Sequence, residues 1–166
     1  NYAGFLVIDA SDSNSPAILG SYRTLSPARN VTVSGSRAYV SGMESGLHLV
    51  DVSHPSSPSV IDSYSVPGRA MNTAISGDFA YVACVEGGFS IVDVSDPTSL
   101  TLRANNLPPF NAGDIAVSGD FAYVVATMPA GPSGFQIYDI SDPDWRRARI
   151  LESSWHRGGE RKGLCR

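Results

Sequence analysis

At 166 residues, with an apolar fraction of 42% and a charged fraction of 17%, the chain has the composition of one folded domain with a sizeable core, not of a disordered segment. Residues 1–144 carry fourteen Asp plus Glu against five Arg and no Lys, a net charge of −9, whereas residues 145–166 carry seven Arg plus Lys against Glu152 and Glu160, a net of +5. An acidic body argues against a phosphate-binding surface, because Lys and Arg neutralising phosphates supply most of nucleic-acid affinity; the basic tail alone offers charge for a polyanion, and no run of eighteen apolar residues exists to span a membrane.

The opening stretch NYAGFLVIDA lacks a basic start and a small-residue cleavage site, and it reads as mature structure. Its run FLVID is the first of four copies, followed by LHLVD at 47–51, FSIVD at 89–93 and FQIYD at 135–139. Gly4, Gly46, Gly88 and Gly134 open these runs, and Asp9, Asp51, Asp93 and Asp139 close them, at spacings of 42, 42 and 46. The four extra residues fall in the Pro/Gly loop TMPAGPSG. A further run follows three of the copies: AILGSY at 17–22, SVIDSY at 59–64 and LTLRAN at 100–105. Then come VTVSGSRAYV at 31–40, AISGDFAYV at 74–82 and AVSGDFAYV at 116–124, the heptapeptide SGDFAYV recurring unaltered. Gly-Ser or Gly-Asp between short apolar runs is a two-residue hairpin signal. No stretch shows the i, i+3, i+4, i+7 spacing of a helix.

A period near 42 built from four short strands, a to d, predicts one propeller blade per repeat. The predicted fold class is therefore all-β: a partial β-propeller of four-stranded antiparallel blades, with about fourteen strands in three blades plus a half-blade. The half-blade covers residues 5–22 and holds only strands c and d. The blades cover 30–64, 72–105 and 114–155, the last completed by ARILESSW as strand d after DWRR intrudes. Strand a is expected innermost, small or β-branched on both faces, and strand d outermost. Residues 156–166, HRGGERKGLCR, fit no strand column and read as an irregular basic tail.

The runs FLVIDASD, LHLVDVSH, FSIVDVSD and FQIYDISD resemble the LVIVD repeat family of β-propellers, over about residues 4–143. Proteins of that family occur in bacteria and archaea, many of them secreted or surface-attached, so the resemblance implies an extracellular or cell-surface setting. It implies blades and not chemistry.

Two sets of polar residues repeat with the blades. Asp9, Asp51, Asp93 and Asp139 have Ser11, Ser53, Ser95 and Ser141 two residues on, the pattern of Asp side chains accepting backbone N–H groups of their own turns. Copies separated by a blade each cannot converge on one Ca²⁺ ion. Asn30, Asn72 and Asp114 begin strand a, and Glu44 and Glu86 lie in b–c loops; these five are the candidate ligand-binding residues, a polar, acidic ring at the mouth of the channel. His48, His54 and His156 occupy unrelated columns, and no metal site, cofactor site or catalytic residue is predicted. Cys84 reads as a small buried hydrophobe, Tyr39, Tyr81 and Tyr123 as core packing, and Trp145 and Trp155 as outer-strand packing.

These features favour a non-catalytic binding or scaffold module for a protein or glycan, or one completed by further propeller blades from the same or another chain, over an enzyme. The alternative is that the blades belong to a larger propeller hydrolase or lyase whose catalytic residues lie elsewhere. Three and a half blades fall short of closure, so an oligomer or a part of a larger propeller is expected.

Overall fold

The computed structural model describes residues 4–106, 110–128, 133–142, 149–157 and 160–161. It contains β-strands and no helix among these residues, and thus no helix long and apolar enough to cross a membrane. β1 (Gly4–Asp9) and β2 (Ala17–Arg23) form a two-stranded sheet; β3 (Asn30–Ser34), β4 (Arg37–Ser41), β5 (Leu47–Asp51) and β6 (Ser59–Tyr64) form the next. β7 (Arg69–Ser76), β8 (Phe79–Val85), β9 (Gly88–Asp93) and β10 (Thr101–Asn106) make a third. β11 (Asn111–Ser118), β12 (Phe121–Thr127), β13 (Ser133–Asp139), β14 (Arg149–Arg157) and β15 (Glu160–Arg161) make the last. All pairings are antiparallel between sequence neighbours. This is the expected half-blade followed by three blades. Strand a is innermost, since β7 packs against both β3 and β11.

Local chemistry explains the register. The a–b turns close on the pairs Ser34↔Arg37, Ser76↔Phe79 and Ser118↔Phe121, and Gly77 takes φ 54 as the first turn residue while Asp78 stays out of the left-handed region. That is the II′ geometry, whose twist matches the flanking strands. The glycine that opens strand c has a second reason to be glycine. Gly46 has φ 79, and a Cβ there would meet the Tyr64 carbonyl oxygen at 2.2 Å, so both the backbone angle and the close approach of strand d exclude a side chain. Each c–d pair also carries a register shift at the same column of strand c, between Val7/Ile8, Leu49/Val50, Ile91/Val92 (opposite Leu102/Ala104) and Ile137/Tyr138.

The core lies between blades. Phe89 and Ile91 of one blade pack with Ile115, Ala122 and Val124 of the next, and the Phe89 ring meets Tyr138 edge-on at 4.9 Å. Tyr39 and Leu49 pack likewise against Ala80 and Val82. The half-blade places Phe5 and Tyr22 over Ala38 and Val40.

Three expectations change. Tyr39 and Tyr81 are core residues at 3% and 4% exposure, but Tyr123 in the same column is 39% exposed, because its face of β12 points to where a following blade would pack. Strand a is covered on both faces only in the middle of the array: Thr73 and Ile115 are buried, whereas their column mate Val31 is 45% exposed and Val33 is 61% exposed. The strand pattern also continues into the segment expected to be irregular tail, since β14 runs through Arg157 and pairs His156↔Arg161 and Arg157↔Glu160 with β15. Gly158-Gly159 between these strands in the sequence is itself a two-residue hairpin signal, but it falls outside the repeat columns. Trp145 and Cys165 lie outside the described residues.

Candidate functional site

The strand-a column forms contacts between successive copies. Asn72 donates its side-chain amide to the Asp114 carboxylate, bridging two blades, and Asp114 also accepts from the Ile115 N–H at 2.9 Å. One blade earlier, Asn30 Oδ1 accepts from the Thr73 N–H at 3.4 Å. Thr32 Oγ1 donates its one proton to the Thr73 carbonyl at 2.6 Å, and the Ser41 and Thr73 hydroxyls lie 2.8 Å apart. These residues therefore stitch the inner strands together where backbone ladders do not run between blades. Asn72 and Asp114 each follow a register shift, Ala70/Asn72 and Ala112/Asp114, and a bulge of this kind re-aims the side chains beyond it.

The b–c turns differ from each other. Glu86 sits at φ 67, a left-handed angle that costs a non-glycine residue roughly 1–3 kcal/mol. It is held by the next blade, whose Asn111 Oδ1 accepts the Glu86 N–H at 2.8 Å. Its carboxylate meets Arg69 Nη2 at 3.3 Å in an exposed ion pair of the kind worth about 0–1 kcal/mol. In the preceding blade the left-handed residue is Met43, at φ 48, and its backbone exchanges two 3.1 Å hydrogen bonds with Ala70. Glu44 is exposed and makes no hydrogen bond or ion pair among the described residues. Asn30, Asn72, Asp114 and Glu86 are thus tied into inter-blade contacts, and Glu44 stands apart. The exposed carboxylates of Glu44, Glu86 and Asp114 leave acceptors for ammonium, guanidinium or hydroxyl groups.

Arg69 and Asn111 belong to this rim, and sequence reading missed them. They share a repeat column in which the earlier blade has Pro27, so a search for identical residues in register passes over a position that is polar in only two of the three blades.

The second Asp set behaves as expected. The Asp9, Asp51, Asp93 and Asp139 carboxylates accept the N–H groups of Ser11, Ser53, Ser95 and Ser141 at 2.9, 2.8, 3.0 and 3.0 Å. The Ser53 N–H and hydroxyl hold Asp51 below the usual carboxylate range, and at Asp93 the Ser95 hydroxyl leads. No cluster of three metal-ligating side chains occurs among the described residues. Cys84 is buried, which pushes its thiol up to about 12, so it lacks the thiolate a nucleophile needs.

A serine–histidine contact absent from the sequence reading lies in the first b–c turn, with Ser45 Oγ 2.8 Å from His48 Nε2. The Ser45 hydroxyl donates to the Gly42 carbonyl at 2.7 Å, and a carbonyl can only accept. With its one proton committed there, Ser45 receives the Nε2–H of His48, the reverse of the polarity that activates a nucleophile. Burial also lowers the His48 pKa, consistent with a neutral ring bracing the turn.

Stability should register the inner stitching. Replacing Asn72 with Ala is expected to lower the unfolding free energy by about 1 kcal/mol, the worth of one hydrogen bond, and Asn72→Asp by more, because it sets two carboxylates against each other. Urea unfolding of the two variants checks the order; equal stability of wild type and Asn72→Asp would remove the bridge from the account.

The chain is similar to the N-terminal domain of Nup159, at 15% identity and a TM-score of 0.51 over 93% of this chain and 35% of that one. It is similar also to a chain of the S. cerevisiae complex in which a Dbp5 variant is bound to Nup159, a Gle1 variant, IP6 and ADP, at 15% identity and a TM-score of 0.51 over 86% of this chain and 34% of that one. The chain spans about a third of the length of these structures, and at such identity the likeness is one of fold alone. No curated protein sequence matches. The LVIVD repeat matches four times, at residues 1–24, 27–66, 67–106 and 111–144, one match for the half-blade and one for each blade, and the chain belongs to the LVIVD repeat family.

Proposed function

We propose that the chain is a non-catalytic β-propeller module that binds a protein or glycan through its acidic rim, in a cell-surface or extracellular setting. One observation carries the reading: the polar residues at the rim recur once per blade and are engaged in contacts between blades, Asn30 accepting the Thr73 N–H and Asn72 donating to Asp114. Catalysis needs an asymmetric set of groups, one acid and one base in different environments, and carboxamides engaged in hydrogen bonds between blades supply neither. The reversed polarity of Ser45 and His48 points the same way. A protein ligand has support from Nup159, which is bound to Dbp5 in one matched complex. The second reading, blades of a larger propeller hydrolase or lyase, draws on the fact that the chain spans about a third of the structures it resembles.

The test has two arms. Purified chain is screened on generic esterase, phosphatase, glycosidase and peptidase substrates, with no turnover expected; turnover that survives repurification and disappears with one point mutation would refute the non-catalytic reading. In the second arm, immobilised oligosaccharides and a Lys/Arg-rich peptide are probed with wild type and Glu44→Lys, a variant that breaks no contact in the fold. Binding weakened about tenfold by Glu44→Lys supports the rim, and unchanged binding moves the ligand elsewhere.

A further inference from the structure

The first a–b turn departs from the repeat where the next two agree. The heptapeptide is SGSRAYV at 34–40 and SGDFAYV at 76–82 and 118–124, so Ser36 and Arg37 stand where the later blades have Asp and Phe. Phe79, in the Arg37 column, is partly buried and packs against the core that holds Tyr81 and Ile140. A guanidinium does not fill the same place, because its charged head stays in water. Between Arg37 and the following a–b turn lies a cleft of about 310 Å³, within the range of small-molecule sites. Tyr39 and Val94, both buried, give it an apolar floor, and Ser34, Ser36, Arg37 and Asp78 line the rest. The cleft is bounded by two complete four-stranded blades, β3–β6 and β7–β10.

The Arg37 guanidinium makes no hydrogen bond or close ion pair among the described residues. Asp51, opposite it on β5, is held lower in part by its charge, but the Asp51 carboxylate already accepts the Ser53 N–H at 2.8 Å. The fork of Arg37 is therefore open to a ligand, and a guanidinium fork matches a carboxylate bidentately.

We infer that this cleft binds a hexuronic acid unit of an acidic glycan. The carboxylate of the sugar takes the Arg37 fork, its hydroxyls donate to the Asp78 carboxylate and exchange hydrogen bonds with Ser34 and Ser36, and the C–H face of its ring lies on Tyr39 and Val94. A dianionic phosphate fits worse, since Arg37 is the one cation among the lining residues and the Asp78 carboxylate faces the same anion. A neutral hexose leaves the guanidinium unused. The a–b turns lie at the opposite end of β4 and β8 from the b–c turns of the acidic rim, so the site stands whether or not the rim binds anything.

The probes are methyl glucuronide, methyl glucoside and inorganic phosphate, each titrated into the full chain and followed by the amide signals of Gly35 and Gly77. Saturable shifts at both glycines are expected with the glucuronide, at least tenfold weaker binding with the glucoside, and no displacement of the glucuronide by an equal concentration of phosphate. Arg37→Phe, which restores the residue that the other blades carry and so suits the fold, should weaken glucuronide binding tenfold or more. Arg37→Lys, which keeps the charge and loses the fork, should weaken it several-fold. Arg29→Met, at an exposed arginine near the other end of strand a, should leave it unchanged. Absent shifts at the two glycines, equal binding of the glucoside, displacement by phosphate, full binding in Arg37→Phe, or loss in Arg29→Met would each overturn the proposal.

Discussion

Truncating Phe89 to Ala should cost about 3–5 kcal/mol of unfolding free energy, while truncating Phe135, its partner in the same repeat column, should cost about 1 kcal/mol or less. The two phenylalanines occupy the same position of strand c and differ in what lies against them. Phe89 is fully buried, packed with Ile115, Ala122 and Val124 of the following blade and edge-on to Tyr138. Its removal forfeits the transfer of a large apolar side chain, leaves a cavity between two sheets, and breaks an aromatic pair worth a further 0.5–1.5 kcal/mol or so. Phe135 stands on the face of the last blade and is 42% exposed, so the surrounding water already reaches it. Against a typical total stability of roughly 5–15 kcal/mol, the first substitution brings the chain near unfolding and the second leaves it folded. Thermal and urea unfolding of both variants decide the matter. Equal costs would mean that Phe135 is covered in solution, and a small cost at Phe89 would mean that the blades do not pack as described.

Why the fold was legible follows from the same comparison. A propeller blade is specified locally: a Gly at the first turn residue, alternation in the short strands, a Gly where strand c leaves its turn. Gly77 and Gly46 announce their backbone angles by residue type, because few other residues adopt them, and repetition of each signal at 42 residues removes the ambiguity a single short strand would carry. Burial was less legible. Tyr81 and Tyr123 end the same hexapeptide, SGDFAY, yet Tyr81 is packed against the next blade and Tyr123 is exposed on the face of the last described blade, a difference no local window encodes. The β14–β15 pairing escaped notice for a related reason, since it lies outside the repeat.

The rim was half legible. Asn30, Asn72 and Asp114 were singled out by their column, but a column says nothing of what its members touch. The contacts between successive copies, Asn72 with Asp114 above all, need the inter-blade geometry. Glu44 and Glu86 share a column and still differ, because the left-handed residue is Met43 in one turn and Glu86 itself in the other. A shift of that residue along the turn re-aims the side chain while leaving the sequence alignment intact.

The purified chain should self-associate through the flank of its last blade, and Tyr123→Glu should make it monomeric. β12 alternates between buried Ala122, Val124 and Ala126, which face the preceding blade, and exposed Phe121, Tyr123 and Val125, which face away from it; Phe135 extends the exposed patch onto β13. A contiguous apolar face of this kind is uncommon on a monomer, and burial returns about 25 cal/mol per Å² of apolar area. Two partners are geometrically open to it in a solution of identical chains. Packing against the other end of a second copy would form an open, growing array, but that end is notched: Val31 and Val33 are recessed behind the half-blade, and a flat sheet cannot reach them. Packing of the flat flank on its own copy about a two-fold axis meets no such obstacle and stops at a dimer. Sedimentation across a concentration range is therefore expected to show a monomer–dimer equilibrium that Tyr123→Glu abolishes, since each dimer would hold two such carboxylates in an apolar interface. Val31→Asp should leave it intact. A wild-type chain that stays monomeric at every concentration without binding an apolar-surface dye would overturn the argument, and loss of association in Val31→Asp would replace the two-fold pairing with the head-to-tail one.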